Sequence, residues 1–329
     1  MKKIKLIATG GTISGRGIHR LDLKDYQSGF YTGDDLLREI PEIREIADID
    51  VEQMTNVGSS NISPAHWLDL KNRIERLFNE EDYDGVVITH GTSTLEETAY
   101  FLHLTVHSHK PVVLVGSQRP FSAIGSDAPF NLINAVRVAS EPASIGKGVL
   151  VVLNDEINCA REATKANTYR VEAFQSGQLG LLGYVDPDRK VQFYRSPSRK
   201  HTVHSQFSKL SISAFPKVAI LYSHAGADQD LIQYIIRSGR YQGIVLAGTG
   251  GGHCTSEEKA GLIEAVERDI HVVRSSRVGN GRVVMLNRES WQSCITADNL
   301  LPHKARILLM LSLLVTQERA AIQQIFDEY

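Results

Sequence analysis

The sequence predicts an α/β protein: a larger N-terminal doubly wound α/β domain followed by a smaller C-terminal α/β domain. Three observations predict it. Short β-branched runs alternate with helical stripes in the first part, a polar stretch of about twenty residues interrupts the alternation, and a second strand–helix series resumes after it. The length of 329 residues agrees, since domains of ~150 residues put about two in the chain.

In the first series, residues 3–8, 85–89, 112–115 and 149–153 are short runs rich in Val, Ile and Leu that read as strands buried on both faces. Between the second and third, Leu95, Ala99, Leu102 and Val106 recur at i, i+4, i+7 and i+11, one stripe of a helix. Strand, helix and strand at this spacing imply parallel neighbours joined by a right-handed crossover. The polar run follows Tyr194, so the domains are expected at residues 1–195 and 217–329 with a linker at 196–216. In the second series, residues 218–222, 243–247 and 271–274 are strand-like, and 228–237, 256–268 and 302–314 are helix-like.

Composition narrows the function classes. With 36 basic and 38 acidic side chains the formal charge is −2, which supplies no bulk attraction to nucleic acid or an anionic membrane. A small-molecule partner is expected. The apolar run at 307–315 is too short to span a bilayer, and only the five residues Ile4 to Ala8 separate Met1-Lys2-Lys3 from Thr9-Gly10-Gly11, too few for a secretory segment. A cytoplasmic location follows as the expectation. The three cysteines, Cys159, Cys254 and Cys294, are far apart in the chain and are expected to be reduced thiols rather than a disulfide frame or a metal site.

Open α/β sheets bind ligands beyond the carboxyl ends of their strands. After the first strand comes Thr9-Gly10-Gly11-Thr12-Ile13-Ser14-Gly15, and after the second Thr89-His90-Gly91-Thr92-Ser93-Thr94-Leu95-Glu96-Glu97. Gly10, Gly11, Gly15 and Gly17 match neither a phosphate loop, which ends in Gly-Lys-Ser/Thr, nor a dinucleotide fingerprint, so no nucleotide cofactor is expected. Two readings of Thr12 remain: a hydroxyl nucleophile on a loop that substrate can approach closely, or a turn residue bonded to its own backbone. In the second segment, Ser93 to Glu96 fit a capping box, which makes Ser93 the cap of the helix beginning there. Thr92 would then offer its hydroxyl at the positive end of that helix.

Together the two segments resemble the two signature segments of the bacterial L-asparaginase/glutaminase family. Gln118-Arg119-Pro120, Ser126-Asp127-Ala128-Pro129-Phe130-Asn131, Arg161-Glu162-Ala163-Thr164-Lys165 and Val273-Arg274-Ser275-Ser276-Arg277 also have counterparts in the same order, so the resemblance spans essentially the whole chain. It implies an amidohydrolase that releases ammonia through an acyl-enzyme on a threonine, without metal or cofactor. By resemblance Thr12 is the nucleophile and Tyr26 assists it, with Tyr31 the second candidate for that role. Thr92, hydrogen-bonded to Lys165, would polarise the carbonyl and position water. Ser59, Ser60, Ser93, Gly11 and Gly91 would line the substrate, with backbone N–H groups near Gly11 and Thr92 as oxyanion donors. A homodimer or homotetramer with shared active sites is implied as well.

The departures bear on substrate. The family ordinarily carries aspartate after the second threonine, facing the substrate's α-ammonium; here that residue is Ser93. Losing such a buried charge-assisted hydrogen bond costs on the order of 2 to 5 kcal/mol. Gly251 stands where a partner asparagine is usual, and Glu289 is the nearest candidate for the partner's usual glutamate. An amidohydrolase without strong α-amino binding is therefore expected. The alternatives are an ordinary L-asparaginase/glutaminase and a non-catalytic small-molecule binder. His103 and His107, at i and i+4, lack a His-Glu-x-x-His pattern, so no metal site is expected there.

Overall fold

A computed structural model of the chain describes residues 1–286, 291 and 293–329. They divide into two compact units, Met1–Leu210 and Ser211–Tyr329.

The first unit is built on an eight-stranded mixed sheet. Its parallel part is β4 (Ala47–Val57), β1 (Lys2–Gly10), β5 (Gly85–Thr89), β6 (Val112–Val115) and β7 (Val149–Leu153), side by side in that order. The chain starts in β1, one strand from the edge, and adds β4 on one side and β5, β6 and β7 on the other, the doubly wound arrangement. Beyond β7 the sheet turns antiparallel through β8 (Glu156–Cys159), β11 (Gly183–Val185) and β12 (Val191–Phe193). The tight β7–β8 turn places Asn154 and Asp155 at φ 54° and 62°, the left-handed pair that matches strand twist in a two-residue hairpin.

Helices cover both faces of this sheet. Leu132, Ala135 and Val136 of α4 (Ala128–Ser140) pack into one core with Ile4, Leu6, Val113, Val115, Leu150 and Val152, the alternate residues of the strands. Helix α1 (Gly33–Glu39) adds Leu36 and Leu37 to that core. Helices α2 (Pro64–Asn79) and α3 (Leu95–Thr105) pack on each other, and α3 meets β6 and β7. Two small ribbons stand apart from the sheet: β2 (Arg16–Gly17) pairs with β3 (Tyr26–Gln27), and β9 (Thr164–Lys165) pairs with β10 (Phe174–Gln175).

The polar run after Tyr194 is not uniformly loose. Phe207 is fully buried, His201 is buried, and Ser208 Oγ lies 3.0 Å from His107 Nδ1, so residues as far as Leu210 fold against the first unit. One aromatic anchor and hydrogen-bonding histidines hold a segment that carries no periodic signal.

The second unit carries four parallel strands in the order β13 (Val218–Tyr222), β14 (Gly243–Gly248), β15 (His271–Ser276) and β16 (Ile295–Thr296). Helices α5 (Asp230–Ser238), α6 (Ser256–Glu267), α7 (Pro302–Ser312) and α8 (Arg319–Glu328) accompany them. The expected helix at 228–237 starts two residues later, because the Asp228 carboxylate accepts from Asp230 N and opens the chain ahead of the first turn. No helix among the described residues is long and apolar enough to cross a membrane.

Candidate active site

The two candidate loops leave the carboxyl ends of the adjacent parallel strands β1 and β5. Their backbones touch. A Cβ added to Gly11 would lie 2.3 Å from Gly91 Cα, and Gly11 itself has φ +86°. A Cβ added to Gly91 would lie 2.8 Å from Ser59 Oγ. Only glycine permits this crossing, and the crossing brings Thr12, Ser59 and Thr92 to one place. The Gly11 N–H is donated to Val57 O at 3.0 Å, so an oxyanion donor near Gly11 has to come from a neighbouring N–H.

Thr12 heads a single 3₁₀ turn, Thr12–Ser14, and is buried. The β2–β3 ribbon carries Tyr26 over it, with the Tyr26 hydroxyl 2.8 Å from Thr12 Oγ1. Tyr31, the other candidate, instead packs edge-on against Phe30 and Phe121. Tyr26 is therefore the tyrosine that the structure brings to Thr12.

Thr92 is also buried, and Lys165 Nζ donates to its Oγ1 at 2.8 Å. Lys165 stands on the β9–β10 hairpin, whose backbone is tethered by the Lys165 N–H to Glu96 Oε1 at 3.2 Å. Burial holds the Lys165 ammonium below the usual lysine pKa, while the Glu96 carboxylate pulls in the opposite direction. Such a lysine sheds its proton more easily than a surface one.

A buried chain of donors fixes the backbone that presents Thr92. Trp67 Nε1–H donates to Thr98 Oγ1 at 3.0 Å, Thr98 lies 3.0 Å from His90 Nε2, and His90 Nδ1 lies 2.8 Å from Gly91 O. A carbonyl only accepts, so Nδ1 carries the proton and Nε2 accepts from the threonine hydroxyl. Burial pushes the His90 pKa down to about 4, consistent with a neutral ring.

Ser93 does not cap α3. The helix starts at Leu95 with Thr94 in the N-cap position and no side-chain cap. Ser93 N instead donates to Ser59 Oγ at 3.1 Å, and Thr94 Oγ1 donates to Ser59 O at 2.7 Å. The pull of Ser59 across the loop overrides the local capping pattern. Ser59 is buried, whereas Ser60 and the Ser93 side chain are exposed. Gly251 lies in the second unit, where its carbonyl accepts from Arg274 Nη2 at 3.3 Å. Glu289 lies outside the described residues.

Three participants escaped the sequence reading. Glu96 was absorbed into the apparent capping box, and Trp67 and Thr98 sit at helical spacings that read as ordinary core. The i, i+4 histidines make ordinary structural contacts: His103 Nδ1 accepts from Val149 N, and His107 Nδ1 lies 3.0 Å from Ser208 Oγ. A cavity of about 790 Å³ adjoins the Tyr26 ribbon, lined by Ile18, Leu21, Leu23, Gln118, Arg119 and Tyr169 among others. A second, of about 1210 Å³, lies beside α4 among Glu39, Asn134, Arg137 and Arg189, and neither cavity is lined by Thr12, Tyr26, Ser59, Thr92 or Lys165.

Comparison with known proteins gives this geometry a family. Residues 3–199 match the family model "Asparaginase, N-terminal", and 217–326 match "Glutaminase/Asparaginase C-terminal domain". The chain is 43% identical to L-asparaginase 2 of Bacillus subtilis over 100% of its own length and 87% of that protein's. It is 37% identical to a glutaminase-asparaginase of Pseudomonas aeruginosa, covering 100% of this chain and 91% of that one. The crystal structure of a probable cytoplasmic L-asparaginase from Campylobacter jejuni superposes with a TM-score of 0.96 at 42% identity, covering 100% of both chains. The chain therefore belongs to the asparaginase/glutaminase family and is a hydrolase acting on amides.

Proposed function

We propose that this hydrolase cleaves a side-chain or small-acid amide through Thr12, and that its substrate carries no free α-ammonium group. The observation that supports the chemistry is the pairing of two buried threonines with proton-handling partners, Thr12 with Tyr26 and Thr92 with Lys165, each at 2.8 Å. Thr12 Oγ1 attacks the amide carbon while its proton passes towards Tyr26. The tetrahedral intermediate collapses, the C–N bond breaks and the nitrogen leaves as ammonia with that proton. Water then adds to the Thr12 ester; neutral Lys165, acting through Thr92, takes its proton, and the carboxylate leaves as Thr12 regains its hydroxyl. Oxyanion donors are assigned to the backbone N–H groups of Thr12 and Thr92, since that of Gly11 is committed to Val57.

Ser59, Ser60, Ser93 and Gly91 are assigned to the substrate's carboxylate end. Ser93 supports the altered specificity, because a neutral hydroxyl at the exposed rim gives an ammonium no counter-charge. Steady-state ammonia release from succinamate, N-acetyl-L-asparagine and L-asparagine tests the reading. Saturation by the first two and poor use of the third is expected; preferential turnover of L-asparagine would overturn it.

A second reading, ordinary L-asparaginase/glutaminase activity, is favoured by the identity with proteins of those names over the whole chain. The same three-substrate comparison separates the two. We further propose a homodimer or homotetramer with shared active sites, to be checked by light scattering. A cytoplasmic location is supported by three free cysteines, and cell fractionation tests it.

A further inference from the structure

Lys165 is held at both ends by one stretch of chain. Its Nζ donates to Thr92 Oγ1 at 2.8 Å, and its backbone N–H donates to Glu96 Oε1 at 3.2 Å. Thr92 and Glu96 stand four residues apart, where the loop after β5 enters α3. The ribbon that carries Lys165 is too short to fix it alone. β9 and β10 pair over two residues each, Phe174 with Lys165 and Gln175 with Thr164, above a footing of buried Ala163, Ala173 and Phe174. A long, flexible lysine side chain loses much rotamer freedom when it is ordered, and a grip on both its ends lets that ordering be done by the fold before substrate arrives.

The tether alone does not explain a carboxylate. A backbone N–H needs only an accepting oxygen, which a glutamine would supply. Glu96 is instead an acidic side chain only 7% exposed, in the first turn of α3, where the helix's positive end favours negative charge. A buried charge is expensive unless it acts on another. The other titratable groups around the ribbon are Glu97 and Tyr100 on α3, Arg161 and Glu162 at its entry, 3.7 Å apart, and Arg170 and Glu172 on its turn, 3.8 Å apart. Of all these, it is the Glu96 carboxylate that acts on Lys165, raising the lysine's pKa against the effect of burial.

We propose that Glu96 is a positioning residue for the hydrolysis: its carboxylate holds the backbone of Lys165 against the loop that presents Thr92, and it supplies the counter-charge for the ammonium formed when Lys165 takes the proton of the attacking water. As the water's C–O bond to the acyl carbon forms, one proton moves to Nζ; as the ester bond to Thr12 breaks, that proton is available to the Thr12 oxygen. The proposal rests on the reading above, in which Lys165 acts through Thr92, and adds the group that decides how readily Lys165 parts with the proton.

The test is kcat for ammonia release as a function of pH, on whichever of succinamate and L-asparagine the wild type turns over faster. Full-length wild type, Glu96→Gln, Glu96→Asp, Lys165→Met and the Glu96→Gln, Lys165→Met double variant are compared. Glutamine keeps the reach and an accepting oxygen and removes the charge; aspartate keeps the charge and falls one methylene short of the tether. Without the carboxylate the ammonium is less favoured, so neutral lysine persists to lower pH. In Glu96→Gln the rising limb should therefore move to lower pH, with kcat on that limb at least about threefold higher relative to its own plateau, and the plateau within about threefold of wild type. In Glu96→Asp the limb should stay in place while the plateau falls about tenfold. In the Lys165→Met background the limb should be absent and Glu96→Gln should change kcat by less than about twofold. A purely structural Glu96 would move stability and leave the limb where it is. A limb unmoved in Glu96→Gln, or a glutamine effect of equal size with and without Lys165, would overturn the Glu96 assignment and leave Lys165 in its role. A limb that survives in Lys165→Met would overturn both. Should Glu96→Gln not fold, Glu96→Asp decides: a displaced limb or an unchanged plateau would overturn the assignment.

Discussion

Lys165 and Thr92 meet across 73 residues of sequence, with Nζ 2.8 Å from Oγ1, and the contact joins a two-residue ribbon to the loop that opens α3. Burial lowers its pKa, so in the proposed mechanism the lysine carries part of the pH dependence as well as the geometry. Neutral lysine is the form that accepts a proton. The kcat/KM profile should therefore rise with pH and level off below the usual lysine range. Lys165→Met should lose that limb and at least about 10²-fold in rate. Its Tm at pH 7 should not fall, since the folded state disfavours the charged form and removing the charge relieves that cost.

Thr12→Ala should reduce ammonia release by at least about 10³-fold with the thermal transition essentially unmoved. Rapid quenching and intact-mass measurement should find an acyl adduct on the wild type and none on the variant.

Tyr26→Phe keeps the ring on its ribbon and removes the hydroxyl that faces Thr12. A loss of about 10²-fold in kcat with little change in KM is expected, as for a group that handles a proton in the transition state. Tyr31→Phe, which alters a packing residue, should leave kcat within about twofold.

Gly11→Ala introduces a methyl group 2.3 Å from Gly91 Cα at a φ of +86°. It should cost at least about 3 kcal/mol by chemical denaturation, since backbone stands on the other side and cannot yield cheaply. Gly58→Ala is the control: nothing lies within 4 Å of its Cβ and its φ is −64°, so stability should stay within about 0.5 kcal/mol.

Acid should loosen the first unit through its buried histidines. Burial lowers both His90 and His201 from 6.5 to about 4, so between these values the unfolded chain binds protons that the native one refuses. Stability is then complete above about pH 6.5 and declines as pH falls towards 4, by about 3 kcal/mol for each histidine once both states are protonated. Denaturation midpoints across this range should show the decline, and His201→Asn should flatten it.

The central strands were legible because each is a continuous apolar run: residues 85–89, 112–115 and 149–153 are strands over those same bounds. The edge strand β4 was not read from the sequence, because Ala47–Val57 mixes acidic and apolar residues in the way of a strand with one wet face. The antiparallel extension of three or four residues per strand also passed unnoticed. In the site, glycine-flanked threonines at strand ends advertised themselves. Their partners did not, since Tyr26 and Lys165 sit on ribbons of two residues, too short for any period, and only the family resemblance named them. Ser93 was misread for a related reason: a capping box is a local pattern, and Ser59, which decides the matter, is 34 residues away.

The crossing of Gly11 over Gly91 also sets how the site moves. Two loops whose main chains are in van der Waals contact, with Val57 holding one and the His90 chain holding the other, shift together or not at all. The separation of the two hydroxyls should then stay nearly constant, so that both halves of the proposed reaction would share one stiff frame. Slow backbone amide exchange at Gly11, beside fast exchange in the exposed stretch at residues 18–21, would be the signature of that stiffness.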